Sequence, residues 1–286
     1  MIPRLPIPGS GISLCRVGFG CARIYGGSEL KAAARLIDTA LVAGVRHFDT
    51  APSYGNGHSE AVLGTVLAGV PDIMITTKIG IPRPDLRVQP RAVDVAYRRL
   101  MRPLLSRLPG VKTHLLRLAE RRGSRSASLS GAAIPRRRLE RGEVLRNLEE
   151  SLKQLKRTTI DLYLLHEPNQ FELTDELREL FLDLQRDGVV GAFGLAFGGI
   201  ADIGTGFGTV VQGRYVAGLP SRCPSGEVRI FHGALRYGQQ GADSYAGVHK
   251  AGVWLNQVLA THPDTAVIFS ASSPHQIKSV LNQFAP

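Results

Sequence analysis

Eight short apolar runs rich in β-branched and aromatic residues recur along the chain, separated by stretches with helical periodicity. They read VGFGCARI, RHFDTA, IMITTKIG, DLYLLHEP, GAFGLAF, TVVQGRY, VRIFHGAL and AVIFSAS. Alternation of this kind is the pattern of βα units around a parallel sheet, and it restricts the fold more tightly than composition does. Eight strands with helices between them predict an α/β protein built as a closed (β/α)8 TIM barrel rather than a doubly wound open sheet. The glycines Gly18 and Gly20 agree with that choice. The third glycine of a dinucleotide-binding GxGxxG fingerprint would fall on Arg23, so no such fingerprint forms.

Between the runs, Leu145, Leu148, Leu152 and Leu155 fall on one helical face, as do Leu177, Leu180, Phe181 and Leu184. The second helix is expected to start after an N-capping Thr174 and to stop at Gly188. The opening RLPIPGSGISLC predicts a β-hairpin that plugs the barrel floor. At 286 residues the chain fits a single domain, 1–286.

Residues 84–142 break the alternation and read as a long basic insertion after the third strand. From Arg83 to Arg146 there are 16 Arg and one Lys against five acids. This stretch carries more than the chain's whole net charge of +11, and the remainder is nearly neutral. Charge confined to one loop, with Tyr97 as its only aromatic residue, argues against a nucleic-acid partner. Val93, Leu100, Leu104 and Leu105 predict one packed helix there, whereas Gly123 to Arg138 lack the apolar side chains to offset ordering. The segment is expected to act as an arginine-rich lid that draws in anionic substrates or cofactor phosphates.

With 43% hydrophobic and 21% charged residues the chain can bury a large core, which excludes general disorder. The N-terminus has no uninterrupted apolar signal region, and no window approaches the ~18 apolar residues of a membrane span, so a cytoplasmic protein without a membrane partner is expected. Cys15, Cys21 and Cys223 are an odd set without CxxC spacing, and no His/Cys/carboxylate group has zinc spacing. Neither a disulfide framework nor a metal site is expected.

Functional groups of (β/α)8 enzymes gather at the C-terminal ends of the strands. Asp49 ends RHFD, Lys78 ends IMITTK, His166 ends DLYLLH, and Tyr54 lies five residues beyond Asp49. A buried Lys and Asp at adjacent strand ends would pair. The lysine charge is then expected to depress a neighbouring tyrosine pKa and make the phenol a usable acid and base. His47, two residues before Asp49, reads as an inward packing residue rather than a metal ligand.

The stretches FDTAPSYGNGHSEAVLG, ITTKIG and SLKQLKRTTIDLYLLHEP closely resemble three signature regions of the aldo-keto reductase family, in the family's order. The resemblance implies an NAD(P)(H)-dependent oxidoreductase that interconverts a small carbonyl (aldehyde, ketone or sugar) and its alcohol by hydride transfer. It implies Tyr54 as general acid and base, Lys78 as its tuner, Asp49 as the anchor of Lys78, and His166 as the group that orients the carbonyl. For the cofactor it implies Gln212 at the nicotinamide carboxamide, His232 as the stacking ring, and Ser270, Ser272 and Ser273 near the adenosine phosphate. Two positions depart from the family pattern. Ala196 and Phe197 stand where a Ser-Asn pair usually meets the carboxamide, and Gln276 stands where an arginine often reads the 2′-phosphate, which leaves NADP and NAD both open as cofactor. Ser270, Ser272 and Ser273 read equally as a turn capping the helix after Pro274. The Ala196/Phe197 departure also motivates an alternative, a nucleotide-binding regulatory or sensor protein on the same barrel with little turnover.

Overall fold

The computed structural model describes residues 2–84, 138–200, 206–223, 226–237 and 251–284. The lid expected within the insertion lies outside these residues, apart from its last few.

Two hairpin strands, β1 (Arg4–Pro6) and β2 (Ser13–Cys15), pair antiparallel and are followed by the strands of a closed barrel. These are β3 (Val17–Gly20), β4 (His47–Asp49), β5 (Met74–Ile79), β6 (Ile160–His166), β7 (Val190–Ile200), β8 (Val210–Arg214), β9 (Val228–His232) and β10 (Thr265–Phe269). Each pairs parallel with its sequence neighbour, and β10 closes on β3. Every one of the eight apolar runs is therefore a barrel strand. Helices α1 (Leu30–Val42), α2 (Ser59–Val66), α3 (Arg141–Leu155), α4 (Asp175–Arg186), α5 (Ala251–Thr261) and α6 (Pro274–Leu281) are the main helices among the described residues. None of the described helices is long and apolar enough to cross a membrane.

The period-two alternation of the strands divides the apolar side chains into two sets. Outward residues such as Phe48, Ile75, Tyr163, Phe193 and Val267 pack with the helices into one large cluster. Inward residues, among them Met74, Leu162, Ala192, Val210, Val228 and Ala266, form a second cluster that includes Ile7 and Leu14 of the hairpin. Ile7 and Leu14 are buried against these residues, so the hairpin seals the barrel floor as its sequence suggests.

Helix α4 starts at Thr174, whose hydroxyl accepts the Leu177 N–H at 3.2 Å, and is followed by Gly188 at φ 73°. Helix α3 differs in one detail from its expected face. Val144, Leu148, Ser151 and Leu155 are buried, while Leu145 is 37% exposed. The buried face follows i, i+4, i+7, i+11, and a one-residue shift of the stripe was compatible with the leucine spacing.

Close contact between α2 and α3 depends on Gly64. A Cβ built there would meet the Gln154 carbonyl oxygen at 2.2 Å and backbone atoms of Leu155 below 3 Å. Backbone cannot swing aside as a flexible side chain can, so Gly64→Ala is expected to destabilise the protein by about 1–3 kcal/mol through overpacking. Urea unfolding checks this, and a variant as stable as wild type would show that α2 slides freely on α3.

Candidate functional site

At the C-terminal end of the barrel, alternation turns Asp49, Lys78, Gln212 and His166 toward the interior. The Lys78 Nζ donates to both carboxylate oxygens of Asp49, at 2.9 and 2.8 Å, and to the Thr50 carbonyl at 2.8 Å. Both charged side chains are essentially inaccessible, at 1% and 4% exposure. Lys78 is the penultimate residue of β5, which extends to Ile79.

Tyr54 enters this cluster from the loop after β4. Its ring lies 4.6 Å from the Lys78 nitrogen and meets the His166 ring edge-on, with centroids 5.8 Å apart and planes at 81°. The turn that carries it runs through Gly55 and Asn56, both left-handed at φ 57° and 56°. A Cβ at position 55 would fall 1.7 Å from the Ile24 carbonyl oxygen, so only glycine lets the turn pass there. The four residues Asp49, Tyr54, Lys78 and His166 are thus brought together from three adjacent strands and one loop.

Electrostatics at this cluster correct one expectation. Burial raises the Tyr54 pKa by more than the Lys78 charge lowers it, so the phenol stands above its ordinary value, not below. For Lys78, burial pulls downward but Asp49 and then Tyr54 pull upward more strongly, and its pKa is raised. The resting site therefore holds an ammonium against a neutral phenol.

Gln212, on β8, donates its amide nitrogen to Asp49 Oδ2 at 2.8 Å. A carboxylate can only accept, so this bond fixes the amide orientation and turns Oε1 the other way. That oxygen is buried and has no hydrogen-bond partner among the described residues.

His232, at the end of β9, donates from Nε2 to the Phe197 carbonyl at 2.8 Å, which holds its ring at the barrel mouth. Its pKa is lowered, burial being the main cause, so the ring is neutral near pH 7. Ala196 is buried among apolar side chains and Phe197 packs against the core, so the end of β7 offers backbone groups here. The Gly198 N–H donates to Glu167 Oε1, and Glu167 itself is left-handed at φ 57°.

After β10, Ser270 donates to the Gly20 carbonyl at 3.0 Å, and Ser273 caps α6 by accepting the Gln276 N–H at 3.3 Å. The Ser272 hydroxyl and N–H both donate to Gln276 Oε1, at 3.0 and 2.8 Å. Ser273 thus has the capping geometry that the sequence allowed and Ser272 bonds the same Gln276, while Ser270 sits against Gly20 of β3, the register partner of Asp49. Among the described residues, no group of three or more His, Cys, Asp or Glu side chains could hold a metal ion. The three cysteines are buried and form no disulfide among the described residues.

One network here has no counterpart in the sequence reading. Buried Glu60 accepts from Thr77 Oγ1 at 2.5 Å and from Arg83, which also donates to the Gly57 carbonyl at 2.7 Å. Arg83 had counted only as the first residue of a basic run. Its signal, an arginine a few residues past a strand end, is shared by many solvated arginines.

The family model for the aldo/keto reductase family matches residues 16–204. The chain belongs to that family, and its closed eight-stranded barrel is the family's fold. It is 28% identical over 201 residues to D-threo-aldose 1-dehydrogenase from Pseudomonas sp., covering 65% of this chain and 51% of that protein. It is 25% identical over 197 residues to the aldo-keto reductase YhdN of Bacillus subtilis (strain 168), covering 66% of this chain and 45% of that one. The chain spans about half the length of these two relatives. Among solved structures, the fold is similar to glycerol dehydrogenase from Gluconobacter oxydans, with a TM-score of 0.64, 19% identity and coverage of 99% of this chain and 90% of that one. An aldo-keto reductase from Klebsiella pneumoniae in complex with NADPH gives a TM-score of 0.62 at 15% identity, covering 99% and 89%.

His47 lies two residues below Asp49, is fully buried and bonds Thr76 Oγ1 at 2.8 Å. Burial lowers its pKa to about 4, with the Lys78 charge adding to the effect and Asp49 opposing it. In the unfolded chain an ordinary histidine takes up its proton near pH 6.5. The neutral form is favoured in the fold, so this contribution to stability is complete above about pH 6.5 and is lost as pH falls toward about 4. Wild type is expected to lose about 2 kcal/mol more stability than His47→Asn between pH 7.5 and pH 5. Urea unfolding at both pH values checks this, and parallel losses in the two proteins would show that His47 is readily protonated in place.

Proposed function

We propose that this chain is an NAD(P)(H)-dependent oxidoreductase that interconverts a small carbonyl and its alcohol, with Asp49, Tyr54, Lys78 and His166 as its catalytic residues. The observation that carries the reading is the Tyr54 ring 4.6 Å from the Lys78 nitrogen, which Asp49 holds by two hydrogen bonds. Family membership and the named activities of the relatives, a dehydrogenase of aldoses among them, support the same class of chemistry.

In the reductive direction Tyr54 donates its proton to the carbonyl oxygen as negative charge develops there. The Lys78 ammonium beside it stabilises the phenolate that remains. Asp49 fixes the position of Lys78 and keeps it charged. His166, edge-on to Tyr54, orients the carbonyl so that its oxygen meets the phenol. A nicotinamide held at this face, with Gln212 and His232 as the residues that would hold it, would supply the hydride or accept it in the oxidative direction.

The residues present fit such a cofactor at one end in particular. The buried, unpartnered Gln212 Oε1 is an acceptor with its orientation already set, and a carboxamide N–H₂ is a suitable donor for it. His232 offers a ring anchored by one hydrogen bond. At the other end Ser270, Ser272, Ser273 and Gln276 supply polar groups but no cation, and this is the basis for expecting either NADP or NAD. The substrate is a small carbonyl or alcohol, with the arginine-rich segment favouring anionic ones, and neither a membrane nor a nucleic acid is needed as partner. One observation favours the second reading, a nucleotide-binding sensor with little turnover: Ala196 and Phe197 give the β7 end no polar side chain for a cofactor. Steady-state turnover separates the two readings.

Tyr54→Phe is expected to lower kcat for carbonyl reduction by about two orders of magnitude or more while NADPH binding changes little. Equal activity in the variant would remove the central claim. Discrimination between NADPH and NADH is expected to be below about tenfold, because one missing charge-assisted contact corresponds to ~1.5–3 kcal/mol. Gln276→Arg should then move the preference toward NADPH. A wild-type preference above about a hundredfold would reveal another cation at the 2′-phosphate.

A further inference from the structure

The turn that presents Tyr54 is held from outside. Gly55, Asn56 and Gly57 are all left-handed, at φ 57°, 56° and 84°, so the segment has no regular helical or strand ladder to fix it. Backbone bonds join it to its own neighbourhood: the Tyr54 N–H donates to the Ala51 carbonyl at 3.0 Å, the Gly55 N–H to the Ala22 carbonyl at 3.1 Å and the His58 N–H to the Gly55 carbonyl at 3.3 Å. A side-chain tie comes from Arg83, which follows β5 and reaches back to the Gly57 carbonyl at 2.7 Å.

The other arm of the same guanidinium holds Glu60, in the first turn of α2. Glu60 has no exposed side-chain surface, and its second oxygen accepts from Thr77, the residue before Lys78. One planar cation thus joins the end of the Tyr54 turn, the start of α2 and, through Glu60, the strand that carries Lys78. A lysine could not reproduce this, since it lacks two donors in a fixed fork. Arg83 is 21% exposed, so it can be approached from solvent, whereas its carboxylate partner cannot.

We infer that Arg83 is a positioning residue for catalysis: its guanidinium, shared between the Gly57 carbonyl and buried Glu60, fixes the Tyr54 turn relative to Lys78. This rests on the reading of Tyr54 as proton donor. With Arg83 gone, Glu60 would be a buried charge without its cation and the turn would lose its side-chain tie at Gly57. Tyr54 would then sample positions away from Lys78.

The test compares wild type, Arg83→Ala and the double variant E60Q/R83Q, which removes both charges together and so keeps an uncompensated carboxylate out of the fold. Activity is read as NADPH-dependent reduction of glyceraldehyde. Independently, the ultraviolet titration of each protein minus that of its Tyr54→Phe counterpart isolates the Tyr54 phenol. Arg83→Ala is expected to lower kcat by about tenfold or more with NADPH affinity within about threefold of wild type. Millimolar guanidinium should restore part of that loss in Arg83→Ala and have no such effect on wild type. The double variant should stay folded with a depressed kcat, and both variants should show a displaced Tyr54 titration. Wild-type kcat in Arg83→Ala would overturn the inference, as would full recovery of kcat in E60Q/R83Q, which would reduce Arg83 to a counterion. If wild type itself reduces no carbonyl, the proposed function falls. The inference is then decided by the titration alone, and an unmoved Tyr54 in Arg83→Ala overturns it.

Discussion

The ion pair between Lys78 and Asp49 sets the terms for the whole C-terminal end of the barrel. At 2.8 Å and an effective dielectric of about 20 the attraction is about 6 kcal/mol, while removing each ion from water costs several kcal/mol. Such a pair contributes little net stability, and an apolar pair of similar volume would serve the fold as well. What it supplies is a fixed positive charge in a place where water cannot screen it. The third bond of Lys78, to the Thr50 carbonyl, and the bond from Gln212 to Asp49 saturate much of the remaining hydrogen-bonding capacity of the pair. Breaking either partner would leave the other buried and uncompensated.

The barrel divides along its axis as a consequence. Its lower interior is filled by Met74, Leu162, Ala192, Val228 and Ala266 and closed by Ile7 and Leu14 of the hairpin. Its upper interior carries Asp49, Lys78 and Gln212, with His47 and Thr76 between the two zones. Apolar filling below provides the burial that holds the strands in register. Polar groups above can then be kept in strained company, with left-handed Asn56 and Glu167 both at this end of the barrel. Stability and the proposed chemistry are drawn from opposite ends of the same strands.

What the sequence disclosed follows from how local each signal is. The eight strands were legible because an apolar run between turn residues needs no distant partner to be recognised, and so were the Thr174 cap and Gly188. Asp49, Lys78 and His166 were legible because barrel topology converts a strand-end position into a shared location. The direction of the Tyr54 pKa was not, because it depends on whether burial or the neighbouring ammonium dominates, and burial is a property of the assembled site. Arg83 and Glu60 were hidden for a related reason. Glu60 looks like an ordinary first-turn acid of a helix and Arg83 like one of many arginines, and only the packing of α2 beside β5 makes them partners. The stripe of α3 was placed one residue off because leucines at 145 and 148 satisfy helical spacing equally well with Val144 left out of account.

The raised phenol gives the site a direction at rest. Below its pKa Tyr54 carries its proton, which is the form needed to protonate a carbonyl oxygen. Oxidation of an alcohol needs the phenolate, and burial opposes that form before Lys78 favours it. On the proposed mechanism, increasing pH moves the site from proton donor toward proton acceptor. Burial pulls the Lys78 pKa down, but Asp49 and then Tyr54 raise it overall, and in the proposed reaction its charge stabilises the phenolate. The Asp49 pair is what keeps Lys78 charged: without the carboxylate, burial would favour the neutral amine, and the positive charge on which the proposed proton transfer relies would be lost.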